Sequence, residues 1–320
     1  MSRKNSARAL SGGAFPFLGL WGLLDLVVLC GTVGCSNVQP GQTGSTSSLT
    51  NTPNSEIIGG QKIPDEQQDA RRQSTVALTT DTVSPRAPDK GPLIDRGSSF
   101  CSGTLISDRI VMTAAHCIQK FDETTRTKQD GFIFDKPDQF IASFNTKVSR
   151  NGKWIRAKKV IPHPDWDPTA TLSPISTTPP NDLGLIILSQ PAPEGMKPAQ
   201  IASLTETLAN GSDIFLAGYG VSLSRNLNDT GTLRQVQVKV SNLDKTAFRL
   251  SVGALFKGAC AGDSGGPAFV KVGDDYKVVG ATSTGAEIFG VCLGVINNYT
   301  DARHYSDWIR RTAESEGLTL

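Results

Sequence analysis

Residues 262–267 read Gly262-Asp263-Ser264-Gly265-Gly266-Pro267, and residues 114–117 read Ala114-Ala115-His116-Cys117. Taken alone, each stretch has a plain structural reading. Gly, Asp, Ser and Pro all favour turns, so the first also suits an ordinary reverse turn. A histidine after two alanines is more often packed or solvated than reactive. The two occur together, however, in this order, with Asn181-Asp182-Leu183-Gly184-Leu185 between them. One chain therefore carries a hydroxyl, an imidazole and a carboxylate in settings that suit nucleophilic chemistry. A serine hydroxyl is a poor nucleophile at neutral pH and needs an adjacent base to take its proton. Glycines around such a serine let backbone N–H groups converge on a developing negative charge.

Outward from these stretches, short β-rich runs alternate with turn-rich segments. Strands are predicted at 98–107, 109–113, 154–161, 183–188, 213–217, 233–240, 268–272, 276–282 and 291–298. The Pro- and Gly-rich stretches 81–97 and 163–181 read as surface insertions. The 32 glycines and 18 prolines agree with many turns and few long helices. Near the end, residues 304–316 place Tyr305, Trp308, Ile309 and Thr312 on one helical face. The fold class is all-β, and closed antiparallel barrels capped by a terminal α-helix explain the pattern best. Periodicity alone does not separate two barrels from one sandwich.

The chain ends and composition bound the function further. Arg3, Lys4 and Arg8 precede a mostly apolar run over 14–34, the basic-then-apolar layout of an export signal. Asp25 sits in that run, where a carboxylate costs roughly 2.5–3.5 kcal/mol in a bilayer, so a cleaved signal is expected over a permanent anchor. Thr32-Val33-Gly34-Cys35 followed by Ser36 also looks like a bacterial lipoprotein processing site. Two readings of Cys35 stand side by side, a lipidated membrane tether and a plain signal residue. Residues 1–35 are thus assigned to export, with a secreted or lipid-anchored product. Residues 36–56, rich in Gln, Gly, Ser, Thr and Pro, form a linker or propeptide. One folded domain spans 57–320. The net charge of +2, without a basic stripe, gives no case for a nucleic-acid partner.

Four cysteines remain beyond the export segment: Cys101, Cys117, Cys260 and Cys292. An even number in an exported chain predicts two disulfides. Zinc is the competing idea, but no Cys-x-x-Cys spacing or close His pair supports it, so no metal or cofactor is expected.

The segment Val111-Met112-Thr113 leading into Ala114-Ala115-His116-Cys117, the 262–267 run and the Asp182 stretch together resemble the trypsin/chymotrypsin family of serine proteases. The resemblance covers residues 57 to about 311. It implies two six-stranded antiparallel β-barrels and an endopeptidase acting on peptide or protein substrates. It also implies roles: Ser264 as nucleophile, His116 as general base, Asp182 as the carboxylate that orients the imidazole. Asp165 and Asp167 are rival carboxylates in a Pro-rich loop; Asp182 directly precedes an apolar run, as the family pattern requires. By the same resemblance the N–H groups of Gly262 and Ser264 form the oxyanion hole, and Ser283 hydrogen-bonds the triad aspartate. Thr284 and Gly285 would pair with an extended substrate. Cys101 is expected to pair with Cys117, and Cys260 with Cys292. The reduced disulfide set suggests a bacterial member.

Ile57-Ile58-Gly59-Gly60 resembles the new N-terminus exposed when family zymogens are cut. The freed ammonium of Ile57 would pair with Asp263 and order the oxyanion loop. Glu56 precedes the cut, so the activating protease is expected to be other than trypsin-like. By the same resemblance Gly258 takes the place at the base of the specificity pocket where trypsin-like members carry an aspartate; its absence removes the main reason to bind Arg or Lys. Gly285 and Gly294 match pocket-wall positions, which predicts an open uncharged pocket for Phe, Tyr, Leu or Met. A catalytically inactive protease-fold binding protein is the alternative, although such relatives normally lose a triad residue. An esterase of the α/β-hydrolase type is disfavoured by the His…Asp…Ser order.

Overall fold

Twelve strands close into two rings of six in the computed structural model. It describes residues 57–83, 91–122, 124–125, 127–169, 181–222, 230–246, 248–254, 256–288 and 291–320, with only the backbone for 286–288, 291 and 293–295. The expected export segment and linker lie outside the described residues. The first barrel contains β1 (Thr75–Thr79), β2 (Cys101–Ser107), β3 (Ile110–Thr113), β4 (Ile141–Ser143), β5 (Trp154–Pro162) and β6 (Gly184–Leu188). Around the ring they run β1-β2-β3-β6-β5-β4 and back to β1, every pair antiparallel. The second barrel contains β7 (Asp213–Gly218), β8 (Arg234–Asp244), β9 (Arg249–Val252), β10 (Pro267–Val272), β11 (Asp275–Ile288) and β12 (Val291–Asp301). Its ring runs β7-β8-β9-β12-β11-β10 and back, the same order as the first. Closure leaves neither sheet a long open edge.

The sequence explains why the strands are so apolar. In β6 every residue of Gly184-Leu185-Ile186-Ile187-Leu188 is buried. Ile186 and Leu188 join the interior of the first barrel, while Leu185 and Ile187 join a separate cluster outside it. This is the two-residue period of a strand covered on both faces. Strand β3 does the same, with Val111 inward and Ile110 and Met112 outward. The outer cluster also takes Ala217, Tyr219 and Phe269 from the second half and Ile309 from the C-terminal helix, so it is the seam that joins the barrels. Burial of each large side chain contributes about 1.5–3 kcal/mol. Tyr219 tightens the seam by donating its hydroxyl to the Asn145 carbonyl at 2.9 Å.

All nine predicted strands are present. Of the twelve barrel strands, β1, β4 and β9 were not predicted; the last two are only three and four residues long, and β1 buries two threonines among its apolar residues. Strands β11 and β12 run past the predicted ends, to Ile288 and Asp301. The terminal helix is Ser306–Ser315, preceded by a 3-10 turn over Ala302–Tyr305. Ile309 and Ala313 carry its buried face, so Ala313 takes the deep position expected for Thr312. Among the described residues no helix is long and apolar enough to cross a membrane.

Candidate active site

His116 sits in the 3-10 turn Ala115–Cys117 that follows β3, and Asp182 lies just ahead of β6. Those strands are ladder neighbours, with Thr113 opposite Gly184, so their adjoining ends bring the two side chains together. His116 Nδ1 is 2.8 Å from Asp182 Oδ2, and the His116 backbone N–H donates to Asp182 Oδ1 at 3.0 Å. Ser283 Oγ donates to Asp182 Oδ2 at 2.6 Å. The Asp182 side chain is wholly buried, whereas the His116 ring retains 19% exposure. A buried carboxylate needs such donors in place of the water it has lost. With Nδ1–H given to Asp182, Nε2 is left as the acceptor of the ring. The rivals Asp165 and Asp167 are both exposed in their loop.

Ser264 arrives from the second barrel on the turn between β9 and β10. Its carbonyl accepts the Ser102 N–H at 2.8 Å, and Gly265 N–H donates to the Thr282 carbonyl at 2.7 Å. Gly265 has φ +75°, and a Cβ there would lie 2.0 Å from Thr113 Oγ1 and 2.7 Å from Ala114 N. The Ser264 turn is therefore pressed onto the segment that leads to His116, which only glycine allows. Cys117 Sγ lies 3.5 Å from the Ser264 carbonyl oxygen. No hydrogen bond joins Ser264 Oγ to the His116 ring in this structure; such contacts commonly tighten when substrate binds. Gly262 has φ +94° and lies against Gly220. Neither its N–H nor that of Ser264 donates to an acceptor among the described residues, which leaves both for a ligand oxygen.

Asp263 points the other way, into the second half of the molecule. It accepts from Gly220 N–H at 2.8 Å and Cys260 N–H at 2.9 Å. Burial nevertheless pushes its carboxyl up to about 6, against those two donors and the charge of Arg234. Ile57 is buried in the apolar cluster of the second barrel, and Ile58 bridges to Gly258. Ile57 has φ +64°, a left-handed conformation that strains a β-branched residue.

The remaining predicted residues separate into two groups. Gly258, Ser283, Thr284 and Gly285 line one region: Gly258 precedes Ala259, and the other three lie on β11. Strand β10 pairs with β11 only as far as Pro267 and Ala281, while β11 continues past that point against β12. Gly294 lies on β12, where nothing beyond the backbone is described. The residue opposite Gly285 in the ladder is Asn297, which the sequence reading did not single out. Its signal was an Asn-Asn pair in an otherwise strand-like run, since Asn is depleted in strands. Both expected disulfides are formed, Cys101 with Cys117 and Cys260 with Cys292. The Cys101, His116 and Cys117 cluster thus has its two sulfurs bonded to each other, and offers a cation no thiolate pair.

A double barrel with a buried Asp–His pair facing a serine turn defines a class of hydrolase. The trypsin family profile matches residues 37–309, and the chain belongs to that family. It is a serine endopeptidase of the trypsin type. Human Trypsin-3 is 30% identical over 234 residues, spanning 68% of this chain and 66% of the relative. A trypsin of Phaedon cochleariae is 27% identical over 230 residues, spanning 67% and 79%. The phenoloxidase-activating enzyme of Bombyx mori is 28% identical over 266 residues, spanning 69% and 56%.

Proposed function

We propose that this endopeptidase works through an acyl-enzyme, is completed by cleavage in front of Ile57, and cuts after uncharged residues. The contact of His116 Nδ1 with the buried Asp182, beside the Ser264 turn, carries the reading. In the first step Ser264 Oγ bonds to the substrate carbonyl carbon and its proton passes to His116 Nε2. The carbonyl oxygen takes the negative charge, facing the N–H groups of Gly262 and Ser264. Collapse breaks the C–N bond, and the amine leaves with the proton held by His116. Water then repeats the sequence on the ester and frees Ser264. Asp182 holds the ring in the required tautomer and stabilises its protonated form.

Cleavage at Glu56–Ile57 is supported by two observations. Asp263 is a buried carboxylate whose charge the protein does not fully offset, and a nearby ammonium would do so. Cutting also removes the peptide bond that defines the strained φ of Ile57. Gly258 supports cleavage after uncharged residues, because no carboxylate stands there to pair with Arg or Lys. Export is supported by the N-terminal basic-then-apolar segment and by the two disulfides. N-terminal sequencing of the active form is expected to begin at Ile57. An active form beginning elsewhere, or preferred cleavage after Arg or Lys, contradicts the corresponding part.

A further inference from the structure

We infer that Asn297 sets the depth of the pocket beside Ser264 and restricts it to small side chains: Ala, Ser, Thr or Val on the acyl side of the scissile bond. The inference rests on the protease reading above and deepens it by naming the substrate class.

Asn297 stands on β12 with its amide fixed at both ends. Its Oδ1 accepts the Ala259 N–H at 3.0 Å, and its Nδ2 donates to the Ala259 carbonyl at 3.1 Å. This two-point contact ties β12 to the segment just before the nucleophile, much as a ladder pair would. On its other side Asn297 faces Gly285, where a Cβ would stand 2.8 Å from Nδ2 and 4.0 Å from the Ala259 oxygen. The amide therefore lies between two walls, Gly258 with Ala259 on one side and residues 283–285 on the other. A deep substrate side chain would have to enter that same space.

Burial supports this placement. Asn297 is 1% exposed, and Gly258 and Ala259 are buried with it, whereas Gly285 is exposed. Exposure thus ends between Gly285 and the amide of Asn297. The expected base, Gly258, is thus shut off from a long side chain. Seating Phe or Leu would require Asn297 to leave, and Ala259 would then keep an unpaired N–H and carbonyl in a dry environment. A small side chain needs no such displacement. The amide is also neutral, so it offers no counter-ion to Arg or Lys. The glycines that suggested an open pocket have a different use here: Gly285 makes room for Asn297.

The test uses the full chain carrying an introduced cleavage sequence that is cut in front of Ile57. Matched peptide amides differ only in the residue before the cleaved bond: Ala, Val, Leu, Phe or Lys. The wild type is expected to favour Ala and Val over Phe by about 10- to 100-fold in kcat/KM. Asn297→Gly is expected to move that ratio toward Phe by a similar factor, with Asn297→Ala between them. Titration of active sites with a fluorophosphonate normalises each variant to its folded fraction, so imperfect folding leaves the ratio readable. A wild type that prefers Phe, Leu or Lys overturns the inference and leaves the protease reading intact, as does a ratio unmoved by both substitutions. No turnover of any substrate, with no fluorophosphonate adduct before or after cutting, overturns both.

Discussion

The two barrels share one strand order, yet they contribute to the site in different ways. In the first, the link after its third strand carries His116, and the loop before its sixth carries Asp182. In the second, the link after its third strand carries Ser264, at the corresponding place in the ring. Each half also buries a carboxylate beside the site. Asp182 is met by the His116 backbone N–H, the imidazole and Ser283. Asp263 is met by two backbone N–H groups, and burial raises its carboxyl to about 6. On the proposed reading the first barrel presents a finished acid–base pair in the uncut chain, while Asp263 in the second makes no ion pair among the described residues.

The largest test of this division is on the chemistry itself. Ser264→Ala or His116→Ala is expected to lower kcat by about 10⁶-fold, and Asp182→Asn by about 10⁴-fold, in the cut protein. Steady-state hydrolysis of a peptide amide measures all three, with folding checked by circular dichroism. A loss of only a few-fold for Asp182→Asn would make its contact with His116 structural.

The second test is on control. The folded pKa of Asp263, about 6, lies above the ordinary value of 3.8. The uncut folded chain therefore binds an extra proton between those values. The contribution of this one group to stability is fully present below about pH 4 and is lost as pH rises to 6, on the order of 3 kcal/mol. Asp263→Asn should flatten that slope in thermal melts of the uncut chain. Cutting in front of Ile57 should flatten it too, because an ammonium partner lowers the pKa. In the cut protein Asp263→Asn should cost about 10²- to 10³-fold in kcat, by releasing the oxyanion turn.

Two smaller effects sharpen the contrast. Replacing both members of either disulfide with Ser is expected to cost about 3 kcal/mol in denaturant unfolding. Loss of Cys101 with Cys117 should lower kcat through His116, whereas loss of Cys260 with Cys292 should disturb substrate preference. Ser283→Ala removes one donor to a buried carboxylate and should lower kcat about 10-fold, with KM little changed.

Much of this was legible in the residues. His116, Asp182 and Ser264 each sit in a short local pattern, and local patterns survive in sequence. The long apolar strands also showed themselves, since β6 is buried on both faces. Strands β4 and β9 are short, three and four residues, and were not singled out as strand-like runs. Asn297 was hidden for a different reason. Its importance lies in contacts with Ala259 and Gly285, and neither spacing nor composition reports which residues face each other across a bulged ladder. The family resemblance pointed to Gly294, and the register of β11 against β12 adds Asn297 opposite Gly285.

The most direct measurement is labelling with a biotinylated fluorophosphonate before and after cutting in front of Ile57, followed by mass spectrometric mapping of the adduct. Near-stoichiometric modification of Ser264 is expected after cutting, with a far slower reaction before it and none in His116→Ala. Equal labelling of cut and uncut chains would contradict the control assigned to Ile57 and Asp263. An adduct on another residue, or no adduct in either form, would contradict the assignment of Ser264 as the nucleophile.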